Sequence, residues 1–336
     1  MPPKKPVLAL PTSTQEPTLS ASHSKMIIKL LFPRGFCAGV YRATSALSTA
    51  LERYGAPIYV YHEIVHNKWV VEYFRQKGAV FVNSLDDIPD GSVTLFSAHG
   101  VSPQIEKQAK QKKLQYVDAS CPLVQKVHRE AKRFVQQGYT VLLIGHPHHD
   151  EVVGVQGEAP DKIFIVKTKE SIDSLPLTAH DKVAYITQTT LSLDESTTII
   201  EYLKSRFPNI VGPKIKDICY ATQNRQNAVK MAARKYNQKN LIVKAVIVGS
   251  SNSSNSIRLK EIAQEQNITA FLIDSPADIN SDDFTNVDVV LLSAGASAHE
   301  SVVQQVVEYF QSTFNASVEE ERICEENTSF PIPTMP

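Results

Sequence analysis

Three of the four cysteines in this 336-residue chain open similar stretches: Cys37 in P-R-G-F-C-A-G-V, Cys121 in S-C-P-L-V-Q-K-V-H and Cys219 in I-C-Y-A-T-Q-N-R-Q. Each precedes a helix-like pattern. Structural zinc sites usually show short C-x₂₋₄-C pairs, and none occurs here. Three thiolates brought together suit a soft metal centre. An iron–sulfur cubane is usually held by four cysteines, so three leave one iron without a protein ligand. An open position of that kind marks a catalytic metal rather than a structural one. Cys324 lies in the acidic run E-E-E-R-I-C-E-E-N-T. Carboxylates disfavour a thiolate, so Cys324 is expected to be incidental. The competing reading is that all of these cysteines simply pack in a core.

A second set of residues suits an anion. His66 ends Y-H-E-I-V-H-N, His99 sits in S-A-H-G, and His149 ends G-H-P-H-H. Ser253, Ser254 and Asn255 follow one another in S-S-N-S, and Ser297 lies in A-G-A-S-A. Imidazoles, hydroxyls, an amide and backbone N–H groups at helix starts hold phosphate or diphosphate by hydrogen bonding. Neither a Walker-type loop nor G-x-G-x-x-G occurs, so a nucleotide is not indicated. His62, His146 and His148 are expected to be bystanders. Glu151 follows His149 directly in its loop, and Thr189 and Thr190 occupy another polar loop. A carboxylic acid and a hydroxyl together can relay protons.

The elements that must position these residues are α/β. Short apolar runs such as Ile27–Phe32, Ile58–Tyr61, Val93–Phe96, Val141–Ile144, Val183–Ile186, Ala245–Val248 and Val289–Leu292 alternate with helical patterns. Continuous apolarity fits parallel strands buried on both faces. Helices are expected over Gln104–Lys113, Val124–Gln137, Asp194–Arg206 and Asn227–Tyr236. Cysteine, polar loop and polar loop recur three times in that order. We therefore expect three α/β domains related by pseudo-threefold symmetry, over 26–121, 122–218 and 219–312, around a central cavity. Ligands of open parallel sheets bind beyond the carboxyl ends of the strands.

Residues 1–25 read as a disordered tail and 313–336 as a C-terminal tail. The first stretch lacks the apolar h-region of a secretory signal, so a reducing compartment, the cytoplasm, is expected. With 35 basic and 35 acidic residues, no global field points to nucleic acid or to a membrane surface.

Together these motifs make the chain resemble the 4-hydroxy-3-methylbut-2-enyl diphosphate reductase family over about residues 26–310. P-R-G-F-C-A-G-V, H-E-I-V-H-N, F-S-A-H-G-V-S, D-A-S-C-P-L-V-Q-K-V-H, T-Q-T-T-L-S, D-I-C-Y-A-T-Q-N-R-Q, S-S-N-S-x-R-L and A-G-A-S-A carry the likeness. The resemblance implies a three-lobed α/β fold with one 4Fe–4S cluster on Cys37, Cys121 and Cys219. It implies diphosphate binding by His66, His99, His149, Ser253, Ser254, Asn255 and Ser297, proton delivery by Glu151 and a substrate contact from Thr189. The implied reaction removes an allylic hydroxyl as water with two electrons and two protons, giving isopentenyl and dimethylallyl diphosphate. The implied electron donor is of ferredoxin or flavodoxin type. A module that senses redox or isoprenoid state without turnover is the alternative. One departure stands out: the loop reads H-D-E-V-V-G, with Asp150 where the family commonly has proline.

Overall fold

The computed structural model describes residues 25–336 except Ile215. The expected N-terminal tail therefore lies outside the described residues, Lys25 apart. Along the chain, β1 (Ile27–Phe32) leads into α1 (Ala38–Tyr54), β2 (Ile58–Tyr61), α2 (Lys68–Gln76) and β3 (Ala79–Val82). Then come β4 (Val93–Phe96), α3 (Pro103–Gln111), β5 (Gln115–Asp118), α4 (Pro122–Gln136) and β6 (Thr140–Ile144). The next stretch holds α5 (Asp150–Gln156), β7 (Ile163–Val166), α6 (Lys169–Asp173), β8 (Val183–Thr187) and α7 (Leu193–Arg206). The last holds α8 (Tyr220–Asn237), β9 (Val243–Val248), α9 (Ser254–Glu265), β10 (Thr269–Ile273), β11 (Val289–Ala294), α10 (Glu300–Phe314) and β12 (Ser317–Arg322).

The strands form three sheets, ordered β3-β2-β4-β5, β7-β6-β8 and β10-β9-β11-β1-β12. Every described pairing within them is parallel. The apolar runs are continuous because each sheet is covered on both faces. In β6, Val141 and Leu143 join one core cluster while Leu142 and Ile144 join another. In β11, Val290 and Leu292 face one cluster, and Val289 and Leu291 face the other. That alternation is the strand period of two, applied to a sheet that is apolar on both sides.

Two elements depart from the expected domain boundaries. β1 falls within the first expected domain, 26–121, but it pairs with β11 in the third sheet: Ile27↔Val289 through Leu30↔Leu292. Hydrophobic pattern says that a strand is buried; it does not say beside which sheet. Each cysteine thus follows a strand or loop of one lobe and caps the first helix of the next. The expected C-terminal tail contains β12, which adds to the free edge of β1 from Ile27↔Ser317 to Phe32↔Arg322. β12 reads S-V-E-E-E-R and is mostly exposed, as suits a charged edge strand. Ion pairs with distant parts of the same chain hold it: Glu319 with Lys29, and Glu321 with Lys235.

Candidate active site

Loops leaving strands of all three sheets line one central cavity, with all three repeat cysteines on its wall. Each caps a long helix at its N-terminus: Cys37 caps α1, Cys121 caps α4 and Cys219 caps α8. The positive end of a helix favours a thiolate. Cys37 and Cys121 make no side-chain cap bond, and both line the cavity. Cys219 Sγ accepts from Thr222 N at 3.3 Å and lies 3.0 Å from Thr222 Oγ1.

The two glycines beside Cys37 have separate reasons. A Cβ on Gly39 would stand 2.7 Å from Cys121 Sγ and 3.8 Å from Cys37 Sγ, so only glycine lets α1 and α4 start this close together. Gly35 turns the chain at φ +65, a region that favours glycine. Its carbonyl accepts from the buried Arg225 guanidinium at 2.8 and 3.1 Å.

Burial pushes the Cys121 thiol up to about 12 and the Cys219 thiol up to about 11, and the neighbouring thiols push the same way. Both are neutral at neutral pH until a metal replaces their protons. Among the described residues, the three sulfurs do not all lie within 4.8 Å of one another. Sulfurs on a single tetrahedral ion would be about 3.8 Å apart, given metal–sulfur bonds of about 2.3 Å. The donor set therefore fits a group larger than one ion. Cys324 is not among the lining residues. Burial, with Glu326 and Glu325 adding to it against Arg225, raises its thiol pKa.

The opposite wall is polar. The His66 and His99 rings stack with centroids 3.9 Å apart, and His149 meets His66 edge-on at 5.0 Å. His149 caps α5, its Nδ1 accepting from Glu151 N at 3.2 Å. Its proton is thus on Nε2. Burial, reinforced by His66 and His146, holds its pKa down to about 3. Burial and the neighbouring His66, His149 and His62 hold His99 well below the usual range. Both are neutral hydrogen-bond donors. His66 Nδ1 faces Glu63 at 3.4 Å, while its Nε2 is buried with no hydrogen-bond partner.

Ser253 caps α9, and Asn255 follows in its first turn. Asn255 is 4% exposed, yet neither polar atom of its amide has a hydrogen-bond partner. Native proteins rarely leave such groups unpaired, and a polar ligand accounts for them. Ser297 Oγ donates to the His66 carbonyl at 2.9 Å, tying the first and third lobes. Thr190 Oγ1 donates to Ser254 Oγ at 3.2 Å, tying the second and third. Among the described lining residues there is no Lys or Arg.

Glu151 lines the same cavity and is 2% exposed. Its carboxylate accepts from Thr189 N and from Thr189 Oγ1, both at 2.7 Å. Burial outweighs these bonds and pushes its carboxyl up to about 7. Near neutral pH it carries a proton part of the time, and Thr189 Oγ1 is placed to pass one on. Gln188 orders the surrounding loops, accepting from His146 N at 2.9 Å and donating to Thr190 Oγ1 at 2.8 Å.

Every residue singled out from sequence for metal, anion or proton chemistry therefore lines this one cavity. His62, His146 and His148 do not, although His146 and His148 border a groove beside it. Sequence reasoning missed Glu63, Arg225 and Phe330. Arg225 stands in the quoted T-Q-N-R-Q, but nothing in that motif says what it touches. Phe330 gave no signal at all. It reaches the cavity because residues 323–336 cross from the third lobe to the first as an extended strap. Glu326 pairs with Arg225 at 3.0 Å, the Pro331 carbonyl accepts from Arg42 at 3.0 Å, and the Pro336 carbonyl accepts from Tyr54. Removing one partner of a buried ion pair leaves an uncompensated charge. Glu326→Ala is therefore expected to destabilise the fold by about 3 kcal/mol, measured by chemical denaturation; a loss near zero would mean that Arg225 needs no strap.

Comparison with known proteins meets the same cavity-forming span. The family model described as LytB protein matches residues 28–311. The 4-hydroxy-3-methylbut-2-enyl diphosphate reductase of Rhodopirellula baltica is 51% identical over 92% of this chain and 95% of its own length. That of Actinobacillus pleuropneumoniae serotype 3 is 47% identical over 92% and 97%. Among solved structures, the E-1-hydroxy-2-methyl-but-2-enyl-4-diphosphate reductase from Plasmodium falciparum superposes with a TM-score of 0.87 at 38% identity, covering 92% of this chain and 96% of that one. A further solved (E)-4-hydroxy-3-methyl-but-2-enyl diphosphate reductase, described as the terminal enzyme of the non-mevalonate pathway, gives 0.61 at 28% identity, covering 85% and 99%. The matched span holds all three helix-capping cysteines, both polar walls and the Glu151–Thr189 pair, and on that ground the chain belongs to the LytB family.

Proposed function

We propose that this chain reduces (E)-4-hydroxy-3-methylbut-2-enyl diphosphate to isopentenyl diphosphate and dimethylallyl diphosphate. Two electrons and two protons are consumed, the allylic C–O bond breaks, and water leaves. The observation that carries this reading is the cavity itself: three helix-capping cysteines share it with anion-binding groups that include the unpaired Asn255 amide and His66 Nε2, and with a buried carboxyl.

Cys37, Cys121 and Cys219 hold one 4Fe–4S cluster per chain. When bound, it supplies single electrons and a Lewis-acidic iron with an open position. The protein's own residues do the rest. His149 Nε2–H, the His66 and His99 rings, Ser253, Ser254, Asn255 and Ser297 bind the diphosphate and fix the direction in which the carbon chain points. Glu151 delivers a proton to the departing hydroxyl, through or beside Thr189. The apolar side chains of Val65, Ala98, Val124 and Phe330 border the space for the five-carbon chain and limit water there. Electrons come from a carrier of ferredoxin or flavodoxin type in the cytoplasm; among the described residues, no helix is long and apolar enough to cross a membrane. The Glu151–Thr189 pair favours turnover over sensing, since a sensor has no use for a proton relay.

The direct test is anaerobic: assay iron and sulfide, supply the allylic diphosphate and an artificial one-electron donor, and separate the products. Colourless protein without iron, or iron-loaded protein that leaves the substrate unchanged, would overturn the reading. A narrower expectation concerns the histidines. A hydrogen bond to a charged group contributes about 1.5–3 kcal/mol, so His66→Ala, His99→Ala and His149→Ala should each weaken substrate binding by about 10- to 150-fold. Equilibrium binding on folded variants checks this, and unchanged affinity in all three makes them bystanders.

A further inference from the structure

Asp150 stands between His149 and Glu151 in the chain, opens α5, and has no part in the reaction proposed above. Its Oδ2 lies 3.8 Å from His66 Nε2 and 3.8 Å from His99 Nδ1. Both distances exceed a hydrogen bond. A carboxylate thus sits beside two imidazoles of the anion wall and is bonded to neither. Glu63 faces the other nitrogen of His66, so a second carboxylate adjoins the same ring. Asn252 donates to Glu63 at 2.8 Å and Arg75 adds a favourable field there, while the cavity lining itself offers no Lys or Arg among the described residues.

Two other roles for this carboxylate fit the geometry less well. His66, His99 and Asp150 are close enough together to suggest a metal site. However, the two rings stack at 3.9 Å with only 16° between their planes. Parallel stacked rings cannot both aim an in-plane lone pair at one ion. Nor does Asp150 hold His99 charged: burial and the neighbouring histidines keep that ring's pKa well below the usual range. Asp150 does not itself line the cavity, so its negative charge stands directly behind the two rings that do and acts on an entering anion past them.

We propose that Asp150 sets the affinity and charge selectivity of the anion site, its carboxylate weakening binding in proportion to the negative charge the ligand carries. The inference rests on the diphosphate reading of this wall. Like charges on either side of an imidazole layer in a partly buried site still repel, and water and salt screen them less than at the surface. Substrate and products carry the same diphosphate, so Asp150 weakens both. Such uniform weakening raises KM with little loss of kcat, and it speeds the release of product.

The test uses anaerobically purified protein with inorganic pyrophosphate and orthophosphate as probes, read by titration calorimetry. Asp150→Asn keeps the size and removes the charge; Asp150→Ser is a second neutral variant, and Asp150→Glu keeps the charge. Both neutral variants should bind pyrophosphate about ten- to a hundredfold more tightly, with a smaller gain for orthophosphate. Asp150→Glu should stay within about threefold of the parent. In steady state, KM should fall in the neutral variants while kcat does not rise. Unchanged or weaker pyrophosphate binding in the neutral variants overturns the role of Asp150 alone. An equal gain for both anions overturns the charge selectivity. If neither the parent nor any folded variant binds pyrophosphate, the diphosphate reading falls, and this inference falls with it.

Discussion

Cys121→Ser protein, purified without oxygen, is expected to retain little or no iron, while Cys324→Ser retains the full complement of the parent. The difference follows from where each thiol sits. Cys121 caps α4 against Gly39, beside Cys37, and lines the central cavity. Serine is close in size but replaces a soft sulfur donor with a hard oxygen, and iron–sulfur clusters are held by thiolates. Cys37→Ser and Cys219→Ser should behave like Cys121→Ser. Cys324 lies on the strap beside Glu325 and Glu326, away from the cavity wall. Iron and sulfide analysis of the four variants, with circular dichroism to confirm folding, decides the matter. Full loading of Cys121→Ser, or collapse of loading in Cys324→Ser, reverses the assignment.

Glu151→Gln is expected to lower turnover by about 10²–10⁴-fold, with the cluster intact and substrate binding within about tenfold. Glutamine keeps the size and can still accept from Thr189 N, but it has no acidic proton to give. A carboxylate aimed at a diphosphate would repel it, so the useful partner of Glu151 is the alcohol end of the substrate. Thr189→Val should lose part of the same activity, and the double variant should fall short of the sum if the two act as one relay.

The pH dependence has a definite sign. With its carboxyl raised to about 7, Glu151 is protonated below that value, so kcat/KM should fall as pH rises through about 7. The Gln variant should lack this limb. The same raised pKa has a stability consequence. The folded state holds the Glu151 proton more tightly than the unfolded chain does. The resulting stabilisation is fully present below the ordinary value of 4.5 and is lost as pH rises through about 7. Near-parental turnover in Glu151→Gln with an artificial donor would end the relay assignment and pass the role to water or to the substrate's own diphosphate.

Much of the architecture is written in local pattern. The apolar runs at Ile27–Phe32, Ile58–Tyr61 and Val93–Phe96 coincide with strands residue for residue, because burial on both faces keeps them apolar apart from Lys29 and Thr94. The helix after Cys121 begins at Pro122, where the missing N–H of proline has no consequence. The helix expected from Asn227 begins instead at Tyr220, directly after Cys219. Polar residues in Y-A-T-Q-N-R-Q hide that start, since Arg225 and Gln226 are buried in the fold and carry no apolar signal. β12 was invisible for a related reason: an acidic, exposed hexamer becomes a strand only because the edge of β1 and the side chains of Lys29 and Lys235 await it.

By itself, the sequence determined the α/β class, the threefold order of cysteine and polar loops, and the residue types needed for metal, anion and proton chemistry. These follow from periodicity and side-chain chemistry, which are local. Tertiary structure alone decided that β1 joins the third sheet, that Gly39 lets Cys37 and Cys121 face one space, and that residues 323–336 return to line it with Phe330. It also decided that the carboxyl of Glu151 is raised while Thr189 donates to it twice, and that Asp150 stands 3.8 Å from two imidazoles. Burial, electrostatic fields and close approach depend on distances between segments far apart in the chain, and those distances exist only once the three lobes have packed.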